Sequence, residues 1–216
     1  MEDKIIILGA NGTTKVLLDI LDENNNIQYN IILLDDDVHK HNKHFCGNLV
    51  SGSIQYLKNY TLNNSTVIVA IGSTGNLENR IKIIEYAKNL GFYQQVVVDK
   101  SAIVSDNCEL GYGVAVLPGV IINSNSYIGN HVLLNTGSII EHDCKIGDYS
   151  FISPNVTLCG NVVVGKKTFI GAGTTIVGGI NVGDNVTIGA GSVVVKDVPD
   201  NTILYGNPAH NSAREK

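Results

Sequence analysis

The chain has 216 residues, a formal net charge of -5 and 44% hydrophobic residues. This length suffices for one domain or two small ones. The acidic balance and the lack of a basic run argue against a nucleic-acid surface, and no apolar run approaches the roughly twenty residues of a membrane-spanning helix. The first residues lack the charged start, apolar segment and cleavage site of a signal peptide. We therefore expect a cytosolic protein.

The first hundred residues alternate between short apolar runs and segments with helical spacing. The apolar runs cover residues 4–8, 31–34, 66–71 and 95–98, and the helical segments cover residues 16–21 and 78–90. This alternation predicts a small parallel α/β sheet with Rossmann-like topology. We place this N-terminal domain at residues 1–99.

A polar turn follows each of the first three apolar runs, at Gly9–Lys15, Asp35–Asp37 and Gly72–Gly75. Ligands of parallel sheets bind at the carboxyl ends of the strands, where all three turns are expected. The first turn leads into a helix N-terminus, whose N–H groups and dipole favour phosphate. Because it matches neither common glycine-rich phosphate motif, the turn alone leaves a phosphate site and a structural turn both open.

Three of the six histidines lie in one short loop, as His39, His41 and His44. Their spacing matches no familiar metal site, and the lysines between them would repel a cation. We interpret this segment as a solvated loop and predict no metal.

An aliphatic residue occurs at every sixth position from residue 104 to residue 194. The series is Val104, Leu110, Val116, Ile122, Ile128, Leu134, Ile140, Ile146, Ile152, Leu158, Val164, Ile170, Ile176, Val182, Ile188 and Val194. A small or β-branched residue follows nearly every member by four positions. Glycine recurs every eighteen residues, at Gly111, Gly129, Gly147, Gly165 and Gly183.

A period of six fits neither a helix nor a single amphipathic strand. A coil of three short strands satisfies both periods and predicts a triangular parallel β-helix at residues 100–198, with about five coils. The recurring glycine would lie at a corner, where positive φ or close backbone approach excludes a Cβ. An antiparallel sandwich, the alternative, would space its strands irregularly.

Three of the four cysteines fall within this repeat. Cys108 and Cys144 share a repeat position and Cys159 adjoins a core position, so we predict buried thiols. Cys46 lies in a loop and is expected to be exposed. No C-x2-C spacing indicates zinc.

Two histidines, His131 and His142, also fall within the repeat. His142 follows the inward Ile140 by two positions, so its side chain is expected outside near a corner, beside Asp143. An adjacent carboxylate can stabilise an imidazolium and fix its tautomer, although an exposed loop histidine remains the alternative. His131 and His142 are not separated by a whole coil, so the two should not stack. We predict that His131 is a surface or interface residue. A β-helical carbonic anhydrase would need three metal-binding histidines, whereas the repeat contains only two, which argues against that class of enzyme.

Several motifs together resemble one family. They are Gly9-Ala-Asn-Gly12-Thr-Thr-Lys15, Leu34-Asp-Asp-Asp37, Ala70-Ile-Gly72, Ser101-Ala-Ile103, Glu141-His142-Asp143 and Tyr205-Gly-Asn-Pro-Ala209. From about Lys4 to Ala209 the chain resembles the bacterial sugar acyltransferases that include UDP-4-amino-sugar N-acetyltransferases and sialic acid O-acetyltransferases. The resemblance implies a left-handed β-helix, an exception to the usual crossover rule. It also implies acetyl-CoA as co-substrate and a homotrimer with active sites between subunits.

The resemblance also implies roles for individual residues. It makes His142 the general base, tuned by Asp143, without a covalent acyl-enzyme. The implied substrate contacts are Asn11, Gly12, Thr13, Asp35, Asp36, Gly72 and Asn135. The implied coenzyme contacts are Phe151, Gly160, Ala172 and Ala190. The chain departs from the family at Thr13 and Phe151, where relatives usually or often have histidine.

We therefore predict an acetyl-CoA-dependent N-acetyltransferase that acts on the C4 amine of a UDP-linked amino-deoxy sugar in bacterial glycan synthesis. Its nucleophile would attack directly, with His142 as the base. O-acetylation of sialic acid or another sugar hydroxyl is the alternative, and a non-catalytic nucleotide-sugar-binding protein is the second. Residues 199–216 are assigned to a closing segment and a polar tail.

Overall fold

The computed structural model describes residues 4–24, 30–62, 65–92 and 94–211, so the last part of the predicted tail, residues 212–216, lies outside the described residues. The chain divides into two compact units. The first comprises Met1–Ser73 and Glu78–Gln95, and the second comprises Thr74–Leu77 and Val96–Lys216.

The first unit is built on a small parallel sheet with two helices. Its elements are β1 (Lys4–Leu8), α1 (Gly12–Asn24), β2 (Asn30–Leu34), a 3₁₀ helix (Val38–Lys40), β3 (His44–Phe45), β4 (Asn48–Leu49), a second 3₁₀ helix (Ile54–Asn59), β5 (Ser65–Val69) and α2 (Glu78–Asn89). The sheet order is β2-β1-β5, and both pairs are parallel. Helix α2 is followed by Gly91 with φ 84°, the left-handed conformation that commonly ends helices.

The buried strands of this sheet explain its continuous apolar runs. In β1, Ile5 to Leu8 are all buried, as expected of a strand covered on both faces. Leu8 pairs with Leu34 and with Val69, so the carboxyl ends of the three strands lie side by side. The three polar turns therefore begin at one edge of the sheet, as the sequence predicts.

The second unit is a parallel β-helix with three two-residue strands per coil. Its strands are β6 (Val97–Val98), β7 (Ile103–Val104), β8 (Glu109–Leu110), β9 (Ala115–Val116), β10 (Ile121–Ile122), β11 (Tyr127–Ile128), β12 (Leu133–Leu134), β13 (Ile139–Ile140), β14 (Lys145–Ile146), β15 (Phe151–Ile152), β16 (Thr157–Leu158), β17 (Val163–Val164), β18 (Phe169–Ile170), β19 (Thr175–Ile176), β20 (Asn181–Val182), β21 (Thr187–Ile188), β22 (Val193–Val194), β23 (Ile203–Tyr205) and β24 (His210–Asn211).

These strands stack into three flat sheets. Face 1 contains β7, β10, β13, β16, β19 and β22; face 2 contains β8, β11, β14, β17 and β20; face 3 contains β6, β9, β12, β15, β18, β21, β23 and β24. Within the repeat, stacked strands pair residues eighteen apart, as in Ile122 with Ile140 and Ile140 with Leu158. Residues at the same place in successive coils therefore form columns along the β-helix. The predicted coil is confirmed.

The aliphatic series forms the core of the β-helix. From Val116 to Val194 every member is at most 2% exposed. The small residues between them also point inward, and several of their hydroxyls donate to carbonyl oxygens of the next coil. Examples are Ser126 Oγ to Glu141 O at 2.9 Å and Ser150 Oγ to Gly165 O at 2.7 Å. These two hydroxyls are thus satisfied inside an otherwise apolar prism, whereas the buried Ser138 Oγ has no hydrogen-bond partner among the described residues.

Close approach, rather than positive φ, explains the glycine that recurs every eighteen residues. A Cβ on Gly147 would lie 2.7 Å from the carbonyl carbon of Gly165 and from Lys166 N. Positive φ occurs in other columns, as in Asn125, Asp143 and Asn161, with φ of 61°, 60° and 61°. Asparagine and aspartate tolerate this conformation better than other side chains.

The prediction that residues 95–98 complete the α/β sheet is wrong for Val97 and Val98. Strand β6 pairs with β9, which places Val97 beside Ala115 and Val98 beside Val116. The physical reason is the register, because Val98 precedes Val104 by six residues and continues the aliphatic series backward. At the other end, β23 pairs with β21 and extends the same face.

Cysteine reactivity tests this packing. Cys46 is exposed and Cys144 is buried, and burial raises the pKa of the Cys144 thiol to about 11. At pH 8 only about one Cys144 in a thousand is then a thiolate, the reactive form. We expect iodoacetamide to modify Cys46 readily in the native protein and to spare Cys144, as measured by peptide mass spectrometry. In denaturant both should react, and rapid native labelling of Cys144 would contradict the described core.

Candidate active site

His142 lies at the corner between faces 1 and 2, just after β13. Its side chain is 56% exposed, and its Nδ1 lies 2.7 Å from Asp143 Oδ2. Because an ionised carboxylate only accepts hydrogen bonds, this contact places the proton on Nδ1. The lone pair of Nε2 is then available to accept a proton from a bound molecule.

Asp143 is held from two sides. His142 donates to Oδ2, and Asn125, one coil earlier in the same column, donates to Oδ1 through Nδ2 at 3.4 Å. The bond from His142, followed by that from Asn125, keeps the pKa of Asp143 below its usual value of 3.8. Asp143 is therefore ionised at neutral pH, as an acceptor for the Nδ1 proton requires.

Gly160 lies directly under the imidazole, one coil after His142 in the same column. A Cβ at this position would lie 2.6 Å from His142 Cε1 and 2.7 Å from Nε2. The Gly160 carbonyl accepts from Gly179 N at 3.0 Å, whereas its N–H has no partner among the described residues. The structure thus brings together the three predicted residues His142, Asp143 and Gly160, beside an amide that is free to donate.

Two asparagines near this corner were not predicted. Asn125 supports Asp143, and Asn123 Nδ2 donates to Glu141 Oε2 at 3.0 Å. Each lies eighteen residues before its partner, so the repeat period was the signal that could have identified them.

Ala172 and Ala190 lie at the corner between faces 3 and 1. Both are exposed, and in the described part of the chain neither backbone N–H has a hydrogen-bond partner. Gly171 and Gly189 precede them, and the coils approach so closely that a Cβ on Gly171 would lie 2.5 Å from Ala190 N. Asn135 and then Ser153 precede these glycines in the same column. Within one chain, face 1 separates this corner from His142.

Phe151 and His131 lie away from His142. Phe151 belongs to face 3, is 4% exposed and stacks on Phe169 with ring centroids 5.5 Å apart. His131, predicted to be a surface or interface residue, is 7% exposed and stacks on Tyr149 at 5.3 Å. The prediction of surface exposure is therefore wrong, because Tyr149 lies one coil later in the same corner column and covers the imidazole.

A second group of predicted residues lies at the carboxyl edge of the first unit's sheet. Asn11 caps α1, because its Oδ1 accepts from Thr13 N at 2.9 Å while its Nδ2 donates to Ala70 O at 2.9 Å. Gly12 is exposed at the start of the helix. Thr13 Oγ1 would lie 3.3 Å from a Cβ on Gly72, so these two residues are neighbours.

The two aspartates at this edge differ in availability. Asp35 is 8% exposed, and its carboxylate accepts from Ala10 N at 2.6 Å, Lys40 Nζ at 3.1 Å and Asp37 N at 2.8 Å. It therefore links the turns after β1 and β2. Asp36 is exposed, and the hydrogen bonds to it from Ser53 and Ile54 go to Oδ1 alone. Asp36 Oδ2 is thus the carboxylate oxygen available to a ligand at this edge.

The histidine loop is solvated only in part. His39 and His44 are exposed, but His41 Nε2 lies 2.6 Å from Asp35 O. Across the described ranges, no three His, Cys, Asp or Glu side chains form a group that could hold a metal ion. No helix in those ranges is long and apolar enough to cross a membrane.

Sequence reasoning missed Arg80, a buried residue of α2. Its guanidinium donates from Nη1 to Val69 O at 3.0 Å and to Ile71 O at 3.1 Å. Burial lowers the pKa of Arg80 to about 10, so it stays protonated at neutral pH. Together with Asn11, it fixes three successive carbonyls ahead of Gly72. No local pattern distinguishes such an arginine from a surface one.

Two family models and several solved structures match the chain. The PglD N-terminal domain family matches residues 4–87, and the bacterial transferase hexapeptide (six repeats) family matches residues 125–160 and 161–196. No curated protein sequence matches. PerB from Caulobacter crescentus, solved with CoA and GDP-perosamine, is 32% identical over 97% of each chain, with a TM-score of 0.87. The acetyltransferase domain of PglB from Neisseria gonorrhoeae is 31% identical over 98% of this chain and 100% of that chain, with a TM-score of 0.89.

The chain belongs to the hexapeptide-repeat sugar N-acetyltransferase family. It is accordingly an acetyl-CoA-dependent sugar acetyltransferase, as the sequence predicts. The left hand of the β-helix, which the resemblance implied, is supported by the same matches. The solenoid has about six turns, more than the predicted five because β6 and β23 extend it at both ends.

The contact between His142 and Gly160 generates a prediction for this acetyltransferase. Gly160 lacks positive φ, so alanine fits the backbone, but its Cβ would displace the imidazole. We expect Gly160→Ala to lower kcat/KM by about 100-fold, since displacements near 1 Å have such effects on reacting groups. The change in melting temperature should be small.

Gly178→Ala is the matched control, one coil later in the same column. Its Cβ would meet the Gly160 carbonyl oxygen at 3.1 Å and no imidazole atom. A smaller loss of activity is expected for it. Equal kcat/KM values for the two variants would show that the imidazole position does not depend on Gly160.

Proposed function

We propose that this enzyme transfers the acetyl group of acetyl-CoA to the C4 amine of a UDP-linked amino-deoxy sugar, with His142 as general base. The observation that carries the proposal is the His142–Asp143 pair, whose 2.7 Å contact leaves Nε2 open above Gly160. Family membership supports the reaction class. The relative from Caulobacter crescentus, solved with CoA and GDP-perosamine, supports a nucleotide-linked amino sugar as acceptor.

The proposed chemistry needs one proton acceptor. The amine nitrogen attacks the thioester carbonyl carbon, a C–N bond forms and the C–S bond breaks. His142 Nε2 takes the proton that the nitrogen loses and returns it to the departing thiolate. Asp143 stabilises the imidazolium that exists between these steps. Direct attack is favoured because Cys144, which follows Asp143 in the chain, is buried, and burial raises the pKa of its thiol to about 11.

A second requirement is a donor for the negative charge on the thioester oxygen. Gly160 lies directly under the imidazole of His142. Its N–H has no hydrogen-bond partner among the residues that the structure describes. We assign it this role, since backbone amides commonly stabilise such oxyanions. The free N–H groups of Ala172 and Ala190 would bind the amide oxygens of the pantetheine arm.

We assign nucleotide-sugar binding to the first unit, taken as a Rossmann-like domain of residues 1–99. Gly12 and Thr13 open helix α1, where N–H groups and the helix dipole favour phosphate. Gly72 and Asp36 Oδ2 would contact the remaining nucleotide, while Asn11 and Asp35 hold the turns in place. Residues 100–198 form the acetyltransferase domain in this assignment, with residues 199–216 closing it.

The separation of the two β-helix corners supports an active site shared between subunits. His142 and the Ala172–Ala190 corner lie on opposite borders of face 1, so another copy of the chain would supply one of them. Face 1 carries the apolar outward residues Ile103, Ile121 and Ile139, which a neighbouring copy would cover. We therefore propose a homotrimer. Free thiols at all four cysteines suit the proposed cytosolic location.

A thiol-release assay with acetyl-CoA tests the reaction. The acceptors are UDP-4-amino-4,6-dideoxy sugars, GDP-perosamine, and free and CMP-linked sialic acid. We expect a UDP-linked 4-amino sugar to be the preferred acceptor. His142→Ala should lower kcat by about 10²- to 10⁴-fold, the usual contribution of a general base. Lys145→Ala, an exposed change in the same coil, should leave kcat unchanged.

Each other outcome identifies a different function. Acetylation of sialic acid alone would establish O-transfer, and preference for GDP-perosamine would overturn the uridine assignment. Silence with every acceptor, together with binding of nucleotide sugars, would indicate a binding protein. Unchanged turnover in His142→Ala would refute its role as the base.

The Asp143 carboxylate generates a separate prediction. Asp143→Ala removes the acceptor that orients the imidazole, and we expect kcat/KM to fall about 10- to 100-fold. In the native enzyme Asp143 stays ionised, since its pKa is below the usual value. Protonation of Asp143 should therefore contribute nothing to the pH dependence of kcat/KM above about pH 5. Unchanged kcat/KM in Asp143→Ala would contradict this assignment.

A further inference from the structure

The corner that carries His142 changes in polarity at the level of that residue. Because stacked strands pair residues eighteen apart, the two residues that follow Ile122, Ile140 and Leu158 form two columns along the corner. Polar residues occupy these columns before His142, and small or apolar residues occupy them over the next two coils. The first group comprises Ser105, Asp106, Asn123, Ser124 and Glu141, and the second comprises Cys159, Gly160, Val177 and Gly178. The polar side therefore suits an acceptor with hydroxyl or amine groups, and the apolar side suits an acetyl methyl group.

Glu141 is the charged residue of the polar side that adjoins His142. It is half-buried, and its Oε2 accepts a hydrogen bond from Asn123 Nδ2 at 3.0 Å. Within the part of the chain that the structure describes, Oε1 accepts no hydrogen bond and the carboxylate forms no ion pair. Asn123 thus holds the carboxylate in place and leaves one oxygen available to a ligand.

The two carboxylates that flank His142 differ in how well their charge is stabilised. Asp143 accepts from His142 at 2.7 Å and from Asn125 at 3.4 Å. Glu141 has only the neutral amide of Asn123, so a positive group is the ligand that would stabilise its charge most. Sugar hydroxyls are neutral, but an aliphatic amine with a pKa of about 8 or above is mostly protonated at pH 7. An amine nitrogen also gains positive charge as its lone pair attacks the thioester carbon.

We propose that Glu141 makes the enzyme prefer an amine to a hydroxyl acceptor, by holding the positive charge of the acceptor nitrogen beside His142. This inference rests on the proposed acetyl transfer at His142. The acceptor binds as an ammonium ion and releases one proton to water, after which the nitrogen attacks the thioester carbon. The C–N bond forms, the C–S bond breaks, and His142 passes the second proton to the thiolate, so the products are an amide, a thiol and one proton. Asn123 is a positioning residue, since it acts through Glu141.

Binding of two matched UDP-sugars to the full-length enzyme tests this preference. One is a UDP-linked 4-amino-4,6-dideoxy sugar, and the other is its counterpart with a hydroxyl at C4. In calorimetric titrations at pH 7 without acetyl-CoA, we expect the native enzyme to bind the amino sugar about 10-fold more tightly, the scale of one hydrogen bond between charged groups. Glu141→Gln, which keeps an oxygen for Asn123, should raise the Kd of the amino sugar about 10-fold. The Kd of the hydroxyl sugar should not change.

Asn123→Ala tests the positioning role with the same two sugars. It leaves the charge of Glu141 in place but removes the donor that fixes the carboxylate. We therefore expect the preference for the amino sugar to fall to about 3-fold, the effect of losing one neutral hydrogen bond. Glu109→Gln is the matched control, because Glu109 is an exposed carboxylate on face 2. It should change neither Kd.

Three results would overturn the preference assigned to Glu141. They are equal binding of the two sugars by the native enzyme, an equal increase of both Kd values in Glu141→Gln, and an amino-sugar Kd that this variant leaves unchanged. An undiminished preference in Asn123→Ala would refute the positioning role of Asn123. Turnover separates these results from failure of the proposed function. Absence of thiol release from acetyl-CoA, with the native enzyme and the amino sugar, would refute the acetyl transfer itself.

Discussion

The eighteen-residue register of the β-helix is the constraint on which the rest of the second unit depends. An aliphatic side chain points inward at every sixth residue, and each coil repeats the arrangement of the coil before it. Because successive side chains of a strand alternate between faces, a shift of one residue would turn the core outward. The burial of the aliphatic series therefore fixes which residues reach each corner and which residues stack in each column.

At the active-site corner, this register positions the residues proposed for catalysis. His142 is positioned by Asp143 beside it, and both depend on neighbouring coils, with Asn125 before them and Gly160 after them. The His142 imidazole lies so close to Gly160 that a Cβ there would be 2.6 Å from Cε1, so this placement of the ring leaves no room for a side chain. A glycine at position 160 is thus needed to make room for the imidazole, as well as for any ligand.

Most of the fold, and the local part of the site, could be predicted from sequence. The register follows from a periodicity visible along the chain, and the His142–Asp143 pair is formed by adjacent residues. The failures share a different origin. The burial of His131 under Tyr149, the internal hydrogen bonds of Asp35 and the carbonyl contacts of Arg80 all join distant residues. Such contacts depend on how elements pack, which no local pattern contains.

The three corners of the β-helix differ in whether their backbone N–H groups have hydrogen-bond acceptors. This difference indicates where the reactive surface lies. At the corner between faces 2 and 3, side-chain oxygens accept the backbone N–H groups of the preceding coil, as from Asn130 N to Asp148 Oδ1 and from Lys166 N to Asp184 Oδ1, at 2.8 and 2.7 Å. At the other two corners, Gly160, Ala172 and Ala190 occupy the equivalent positions in their coils. The N–H groups of Gly160, Ala172 and Ala190 consequently have no acceptor within the described residues.

An unpaired amide is tolerated at an exposed corner because water can accept from it, and a ligand oxygen can replace that water. Polar side chains thus accept the N–H groups of one corner, whereas Gly160, Ala172 and Ala190 leave free donors at the two borders of face 1. His142 lies on one of those borders, and Ala172 and Ala190 lie on the other. The corners are therefore distinguished by which side chains are missing, and a ligand rich in carbonyl and phosphate oxygens is the kind of molecule that two rows of free donors would bind.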